Sequence, residues 1–358
     1  MRSRVRSALA MGLGAVLVAG VTALGSGMVS GLHGSAGASD SGGSSGISSV
    51  PVSFDVVTTN RSGLPCAALP TGRHVTVRGH LTGPSDEVDS DRIDGTLYSH
   101  GDGYGEYFWR YQKDEKYNYV DEMARRGHVS VTIDRLGYGD SDKPNGHGVC
   151  FGTEADVLHQ IVGQLRDGSY SGDKTPRFGR VGLVGHSASG FIVEQEAAGF
   201  HDVDALGVLD SGELSISPLA LTRAAQQQVR CLLAPNGYAG LEGSDAEFRF
   251  DHLHNVEPDI ADDLTARRTP DACAGTLNSP QALAGNTLRN SLITAPVLVL
   301  TGANDRLFPR PELQTPTYTR SAKVTLNVVP DAGHAIAFAR TFPVFHDDMD
   351  NWLDANKL

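Results

Sequence analysis

The sequence predicts an α/β fold with a mainly parallel central sheet, helices on both faces of the sheet and an inserted helical lid. Three observations support this prediction. Short apolar strands alternate with helical segments from residue 52 onward, as in sheets whose parallel strands are joined by crossover helices. A polar block, 212–292, interrupts the alternation with several prolines, and a strongly apolar strand returns at 295–300. The block is therefore predicted to be an insertion into a single domain.

The N-terminal segment, 1–38, has the pattern of a signal peptide. Three arginines within the first six residues precede an uncharged apolar run, 8–29, and an Ala-Gly-Ala sequence at 36–38 provides a cleavage site. The run is long enough to span a membrane, so a retained anchor is the alternative. Its many glycines and the cleavage site favour removal. We expect a secreted protein without a stable membrane anchor, which begins with a flexible Ser/Gly-rich lead-in over 39–51.

The amino-acid composition argues against nucleic acid as a partner. The chain has 42 acidic and 30 basic residues and a formal net charge of −12, so it has no electrostatic reason to bind nucleic acid. The sequence does not indicate an oligomeric state.

The four cysteines predict two disulfides, because an exported chain matures in an oxidising compartment. Three pairings are possible. We favour Cys66–Cys150 and Cys231–Cys273, since the second bond then closes within the inserted segment. No Cys-x-x-Cys pair is present, so a zinc or redox site has no support.

The predicted elements follow in chain order. The first part of the core, 52–211, has predicted strands at 52–59, 74–81, 95–99, 129–133, from 181, and at 203–209, and predicted helices at 153–165 and 191–199. The second part, 293–358, has strands at 295–300 and 324–329 and a closing helix at 342–353. The insertion between these parts is predicted to cover the carboxyl ends of the strands, where ligands bind in such sheets.

The segment 181–190 has the pattern of a sharp strand-to-helix turn with a serine at its apex. Gly185 and Ser189 flank Ser187 at a distance of two positions, and small residues there let the backbones pass. The usual residue at the fifth position is glycine, whereas this chain has Ser189 followed by Gly190. Taken alone, the pentapeptide also suits an ordinary glycine-rich turn.

A serine nucleophile needs a base and an acid that orients the base. Asp305 follows the strand at 295–300, and His334 follows the strand at 324–329. We predict that Ser187 attacks a carbonyl carbon, that His334 moves the proton and that Asp305 holds the imidazole. Asp331 is the alternative acid.

An oxyanion formed in this reaction needs two N–H donors. One is predicted to be Ala188, directly after the nucleophile. The other is predicted in the loop after the third strand, from Asp102 or Gly103. Tyr104 in the same loop is a candidate for lining the substrate pocket.

From about residue 52 to the C-terminus, the chain resembles the α/β-hydrolase superfamily. The motifs that carry the resemblance are His100-Gly101, the turn at 134–141, the 185–189 pentapeptide, Thr301-Gly302 before Asp305, and Gly333-His334. Their order matches the Ser…Asp…His order of this superfamily. The resemblance implies a secreted bacterial serine esterase or lipase. Relatives that act as haloalkane dehalogenases or epoxide hydrolases use aspartate at the turn, so Ser187 favours acyl transfer. A cofactor-free haloperoxidase or perhydrolase side activity stays open.

The other histidines and acids that could suggest chemistry are predicted to have structural roles. His100 is predicted to shape the oxyanion loop, and His186 to point away from the pocket. The 251–254 segment, Asp-His-Leu-His, lacks the helical spacing of a metal site, so we expect no metal and no cofactor.

We expect hydrolysis of a small-molecule or lipid-like carboxylic ester through an acyl-enzyme. An acyltransferase or a lactone-forming or lactone-opening enzyme acting on a secreted metabolite is the alternative. A second alternative is a non-catalytic hydrolase-like binding protein, in which a broken triad or a blocked pocket would be expected.

Overall fold

The computed structural model describes residues 46–66 and 70–358. The predicted signal peptide, 1–38, lies outside the described residues. Within the described residues, none of the helices has the length and apolar character needed to cross a membrane.

A nine-stranded sheet forms the centre of the described part of the chain. Its strands are β1 (Ile47–Val57), β2 (His74–Pro84), β3 (Arg92–Ser99), β4 (Ser130–Asp134), β5 (Ser171–Gly172), β6 (Arg177–His186), β7 (Ala205–Leu209), β10 (Val297–Gly302) and β11 (Val324–Val329). Their order is β11-β10-β7-β6-β3-β4-β2-β1-β5. The six strands from β11 to β4 are parallel, whereas β2, β1 and β5 pair antiparallel at one side. The predicted mainly parallel α/β fold is confirmed.

Helices and a small second sheet complete the described structure. The helices are α1 (Ser85–Val88), α2 (Tyr119–Arg125), α3 (Phe151–Asp167), α4 (Ala188–Phe200), α5 (Pro218–Leu232), α6 (Asp245–His252), α7 (Pro258–Arg267), α8 (Cys273–Leu277), α9 (Ser279–Arg289) and α10 (Phe342–Asn356). Strands β8 (Tyr238–Ala239) and β9 (Asp271–Ala272) pair antiparallel.

Alternation along the central strands explains why both faces of the sheet are covered. In β10, Val297 and Val299 belong to one buried cluster, whereas Leu298 and Leu300 belong to another. Successive side chains of a strand point to opposite faces, so each face has its own apolar core. Helices α3 and α4 pack on the first core, and α2 and α10 pack on the second.

The first strand begins earlier than predicted. Residues 47–51 were predicted as part of the flexible lead-in, but β1 starts at Ile47 and pairs with β2 over its whole length, from Ile47–Pro84 to Val57–His74. Backbone pairing with β2 orders these residues despite their low apolar content.

The inserted segment, 212–292, contains α5 to α9 and the β8–β9 pair. Two of the prolines that interrupt its sequence pattern lie in the first turns of helices: Pro258 begins α7, and Pro280 lies in the first turn of α9. A proline is tolerated there because the first helical N–H groups have no partner within the helix. The boundaries of the segment as a separate lid stay a prediction.

Both predicted disulfide pairings are confirmed. Cys66 pairs with Cys150, with 6.0 Å between their Cα atoms, and Cys231 pairs with Cys273 at 5.4 Å. The first bond ties the segment before β2 to the start of α3. The second joins the last turn of α5 to the start of α8 within the insertion.

Candidate active site

Ser187 occupies the sharp turn between β6 and α4. Its backbone angles, φ of 55° and ψ of −122°, lie in a region that residues other than glycine rarely adopt. A Cβ atom at Gly185 would lie 2.3 Å from the carbonyl oxygen of Ser189, which explains why the sequence has glycine there. The Ser187 N–H donates to the carbonyl oxygen of Leu209 at 2.8 Å and so fixes the turn to β7.

The structure brings Ser187, His334 and Asp305 together at the carboxyl ends of the parallel strands. His334 Nε2 lies 2.8 Å from Ser187 Oγ, and His334 Nδ1 lies 2.9 Å from Asp305 Oδ2. The other oxygen of Asp305, Oδ1, accepts hydrogen bonds from the N–H groups of Leu307 and Phe308. All three side chains are buried. This geometry lets the imidazole take a proton from the hydroxyl while the carboxylate holds its orientation.

Ser189, the departure from the usual glycine, has a structural role. Its hydroxyl donates to the carbonyl oxygen of His100 at 2.6 Å and lies 2.8 Å from the hydroxyl of Ser99. The start of α4 is thereby bonded to the loop after β3. A glycine at this position would lack both contacts.

The predicted oxyanion donors do not all have free N–H groups. Ala188 and Asp102 line the cavity beside Ser187. Over the described residues, neither of their N–H groups donates a hydrogen bond to the protein. The prediction of Gly103 as a donor is wrong, because its N–H donates to Asp271 Oδ1 at 2.6 Å.

Asp271 is a residue of the inserted segment that sequence reasoning missed. Besides the Gly103 N–H, its Oδ1 accepts from the Tyr138 hydroxyl at 3.0 Å. Its Oδ2 accepts from the Leu241 N–H and the Gln227 amide. Burial raises the pKa of Asp271 well above its ordinary value, while the bond from Gly103 opposes that shift. No local pattern marks this residue, since its partners come from four distant segments.

Tyr104 does not line the cavity, so its predicted role in binding substrate is wrong. Its ring is fully buried against Phe108 and Phe248, and its hydroxyl bonds to His252 Nδ1 at 2.8 Å. Tyr104 packs in the same buried cluster as the aromatic residues that follow the loop.

His100 and His186 have the structural roles that were predicted. His100 Nδ1 bonds to the carbonyl oxygen of Gly101, and its Nε2 accepts from the N–H of Arg135. Burial lowers the pKa of His100 to about 3, and the charge of Arg135 adds to the effect. His186 packs against Phe108 and its Nε2 bonds to the His334 carbonyl oxygen.

Asp331 and the 251–254 segment also separate from the site. Asp331 is exposed and bonds to His254 Nε2 at 2.7 Å, so Asp305 rather than Asp331 lies against His334. Asp251 pairs with Arg223, whereas His252 bonds to Glu242. The aspartate and the two histidines of 251–254 therefore bond to different partners.

Asp210 is a second buried acid that sequence reasoning missed, although its place directly after β7 was a usable signal. Its Oδ1 accepts from the Gly302 N–H at 2.8 Å. Polar atoms of Asp210, Asp305 and His334 all lie within 4.8 Å of one another. Burial, and then the charge of Asp305, raise the pKa of Asp210 well above its ordinary value.

A cavity opens beside Ser187. Its lining is mostly apolar and comes from α3, α4, the inserted segment and the loops after β3 and β10. The residues are Asp102, Phe151, Ser187, Ala188, Phe191, Ile216, Ala220, Leu221, Ala224, Gln227, Leu241, Thr276, Ser279, Leu283, Leu307 and Phe308. An apolar lining with a few polar groups beside the candidate nucleophile is typical of a site that binds a small organic molecule.

The fold and site have the arrangement of an α/β hydrolase: a mainly parallel sheet, a serine on a strand-to-helix turn, and an acid and histidine after later strands. The model of the alpha/beta hydrolase family matches residues 97–346. The chain belongs to this family.

Several solved structures share the fold. A thermophilic esterase from Thermogutta terrifontis has 21% sequence identity and a TM-score of 0.56, covering 85% of this chain and 99% of that chain. A monoacylglycerol lipase from Paleococcus ferrophilus has 20% identity and a TM-score of 0.54, covering 73% and 94%. A putative non-heme bromoperoxidase from Mycobacterium tuberculosis has 17% identity and a TM-score of 0.56, covering 75% and 95%. Among curated proteins, none is significantly similar in sequence.

Proposed function

We propose that the protein is a secreted serine hydrolase that cleaves a carboxylic ester through an acyl-enzyme. The observation that carries this proposal is the hydrogen-bonded series from Ser187 through His334 to Asp305, which borders an apolar cavity. Esterases and lipases are among the proteins that share the fold.

In the proposed mechanism, Ser187 Oγ attacks the ester carbonyl while His334 Nε2 accepts its proton. Asp305 stabilises the imidazolium that forms. The N–H groups of Ala188 and Asp102 stabilise the negative charge on the carbonyl oxygen. His334 then protonates the leaving alcohol. Water attacks the acyl-enzyme carbonyl while His334 accepts its proton, and His334 returns that proton to Ser187 Oγ as the carboxylic acid is released.

The cavity supports a substrate with an apolar acyl group. Phe191, Leu221 and Leu283 present hydrocarbon, whereas the charged residue Asp102 is already bonded to Arg135 at 2.9 Å. An anionic acyl group would have to approach this carboxylate without a free cation in the lining. Neutral esters with an apolar acyl chain are therefore the favoured class.

Secretion is part of the same proposal. The basic and apolar pattern of 1–38 supports export, and the two disulfides suit an oxidising compartment. Intact mass of the protein collected from the medium measures both the cleavage site and the two disulfides.

The nucleophile is tested with a fluorophosphonate probe that forms an adduct on activated serines. We expect one adduct per chain in the wild type, none in Ser187→Ala, and one in the control Ser90→Ala, whose serine does not line the cavity. The same proteins are then assayed on p-nitrophenyl esters from acetyl to dodecanoyl. Absence of an adduct in a folded wild type would contradict the proposal and favour a non-catalytic binding protein. Product analysis with added alcohol separates hydrolysis from acyl transfer.

A further inference from the structure

A second cluster of ionisable side chains lies outside the cavity, between α3 and the end of α4. It consists of His159 on α3, Glu196 on α4 and Asp202 just after α4. Their potential metal-ligating atoms all lie within 4.8 Å of one another. His159 Nδ1 lies 2.6 Å from Asp202 Oδ2.

Glu196 is the unusual member of this cluster. Its side chain is fully buried, and within the described residues neither of its carboxylate oxygens has a hydrogen-bond donor as partner, since the side chain that lies against it, Asp202, is another acid. Asp202 Oδ1 likewise has none. Burial of a carboxylate without a partner is costly, so these oxygens need either a proton or a cation.

The neighbouring arginine does not supply that cation. The guanidinium of Arg166 donates to the carbonyl oxygen of Asp202 and to the carboxylate of Asp204. It therefore weakens the local negative charge, but its hydrogen bonds go to groups other than the unpartnered oxygens.

We propose that His159, Glu196 and Asp202 bind a divalent transition-metal ion of the Zn²⁺ type. One imidazole nitrogen and two carboxylates suit Zn²⁺ better than Ca²⁺, which prefers oxygen ligands only. The ring of His159 stacks on Phe200 with 3.9 Å between centroids, which fixes the orientation of the imidazole. His159 and Asp202 are about a quarter exposed, so an ion and a water ligand have access from solvent.

The position of the cluster indicates a structural role. Glu196 lies eight residues after Ala188, the first residue of the same helix, or roughly 12 Å along the helix axis, so the ion would not contact the substrate. It would instead join α3 to the end of the helix that carries Ala188 at its start. This proposal does not depend on the esterase activity.

The test uses the secreted protein after removal of metal with a chelator and exchange into chelator-free buffer. We expect one Zn²⁺ per chain at this site by calorimetry, and a rise in Tm of about 5 °C when Zn²⁺ exceeds Kd by about 100-fold. Ca²⁺ should give no comparable rise. Glu196→Gln should lose this binding and stay folded. The Gln amide can donate to Asp202 the hydrogen bond that a protonated Glu196 would donate. If Glu196→Gln fails to fold, His159→Gln serves as the second variant.

The matched control is Asp354→Asn. It alters another group of one histidine and two aspartates, His128, Asp350 and Asp354, in which Asp354 is exposed. Zn²⁺ binding to the 159–202 cluster should survive in this control. The proposal would be overturned by a wild type whose Tm does not respond to Zn²⁺, which would assign a shared proton to Glu196 and Asp202. Zn²⁺ binding that persists unchanged in both Glu196→Gln and His159→Gln would overturn it as well.

Discussion

Asp271→Asn tests whether the inserted segment positions the loop that carries the proposed oxyanion donor Asp102. The carboxylate of Asp271 accepts four hydrogen bonds, two on each oxygen, from Gly103, Tyr138, Leu241 and Gln227. An amide keeps one accepting oxygen and places its NH₂ group against the two donors on the other side. Asp271 is buried, so water does not replace the lost acceptor.

The magnitude follows from two donors left without a partner. Each costs about 1–3 kcal/mol, so the free energy of unfolding should fall by about 2–6 kcal/mol. At roughly 2 °C for each kcal/mol in a chain of this size, Tm should fall by about 4–12 °C. Complete loss of an oxyanion donor lowers kcat by about 10²–10³. An oxyanion donor that is displaced but still present should have a smaller effect and lower kcat by about 10- to 100-fold, with KM little changed.

The assay measures kcat and KM on a short p-nitrophenyl ester, with thermal unfolding of the same samples. Asp55→Asn is the control, because it changes an exposed carboxylate that pairs with the exposed side chain of His74. A variant with lowered Tm and the kcat of the wild type would refute the reasoning. That result would mean that the Gly103 N–H bond stabilises the fold without positioning Asp102.

Three further predictions concern the acid, its buried neighbour and the cavity. Asp305→Asn should lower kcat by about 10⁴ because the amide favours the wrong imidazole tautomer, whereas Asp331→Asn should leave kcat unchanged; the reverse result would reassign the acid. The raised pKa of Asp210 means that the folded protein retains a proton that the unfolded chain loses above about pH 4. The contribution of Asp210 to stability should therefore fall as pH rises above about 4, so the difference in Tm between the wild type and Asp210→Asn should change with pH; a difference that stays constant would contradict this. Ala224→Leu adds bulk to the cavity lining and should shift kcat/KM toward shorter acyl groups; an unchanged preference would place the acyl group elsewhere.

The fold could be predicted from the sequence because its signals are local. Apolar strands such as Val297–Gly302 are buried on both faces and read as continuous apolar runs. Ser187, Asp305 and His334 each follow such a strand, and parallel strands bring their carboxyl ends to one edge. The cysteine pairing was also accessible, since one pair falls within a single inserted segment.

Errors arose where a long-range contact decides the role of a residue. Gly103 was predicted as an N–H donor to substrate, but Asp271, 168 positions away, accepts that hydrogen bond. Tyr104 was predicted to face the cavity, but His252, 148 positions away, binds its hydroxyl.

The sequence by itself determined the sheet, the strand-to-helix turn at Ser187 and the chain order of the three polar residues, because periodicity and strand-end placement are properties of short segments. Only the tertiary structure decided which N–H groups are left without a protein acceptor, which oxygen of Asp305 lies at hydrogen-bond distance from His334 and which side chains line the cavity. The physical reason is that a hydrogen bond or a buried contact depends on the position of both partners to within about an ångström. Those positions are set by the packing of segments that lie far apart in the chain.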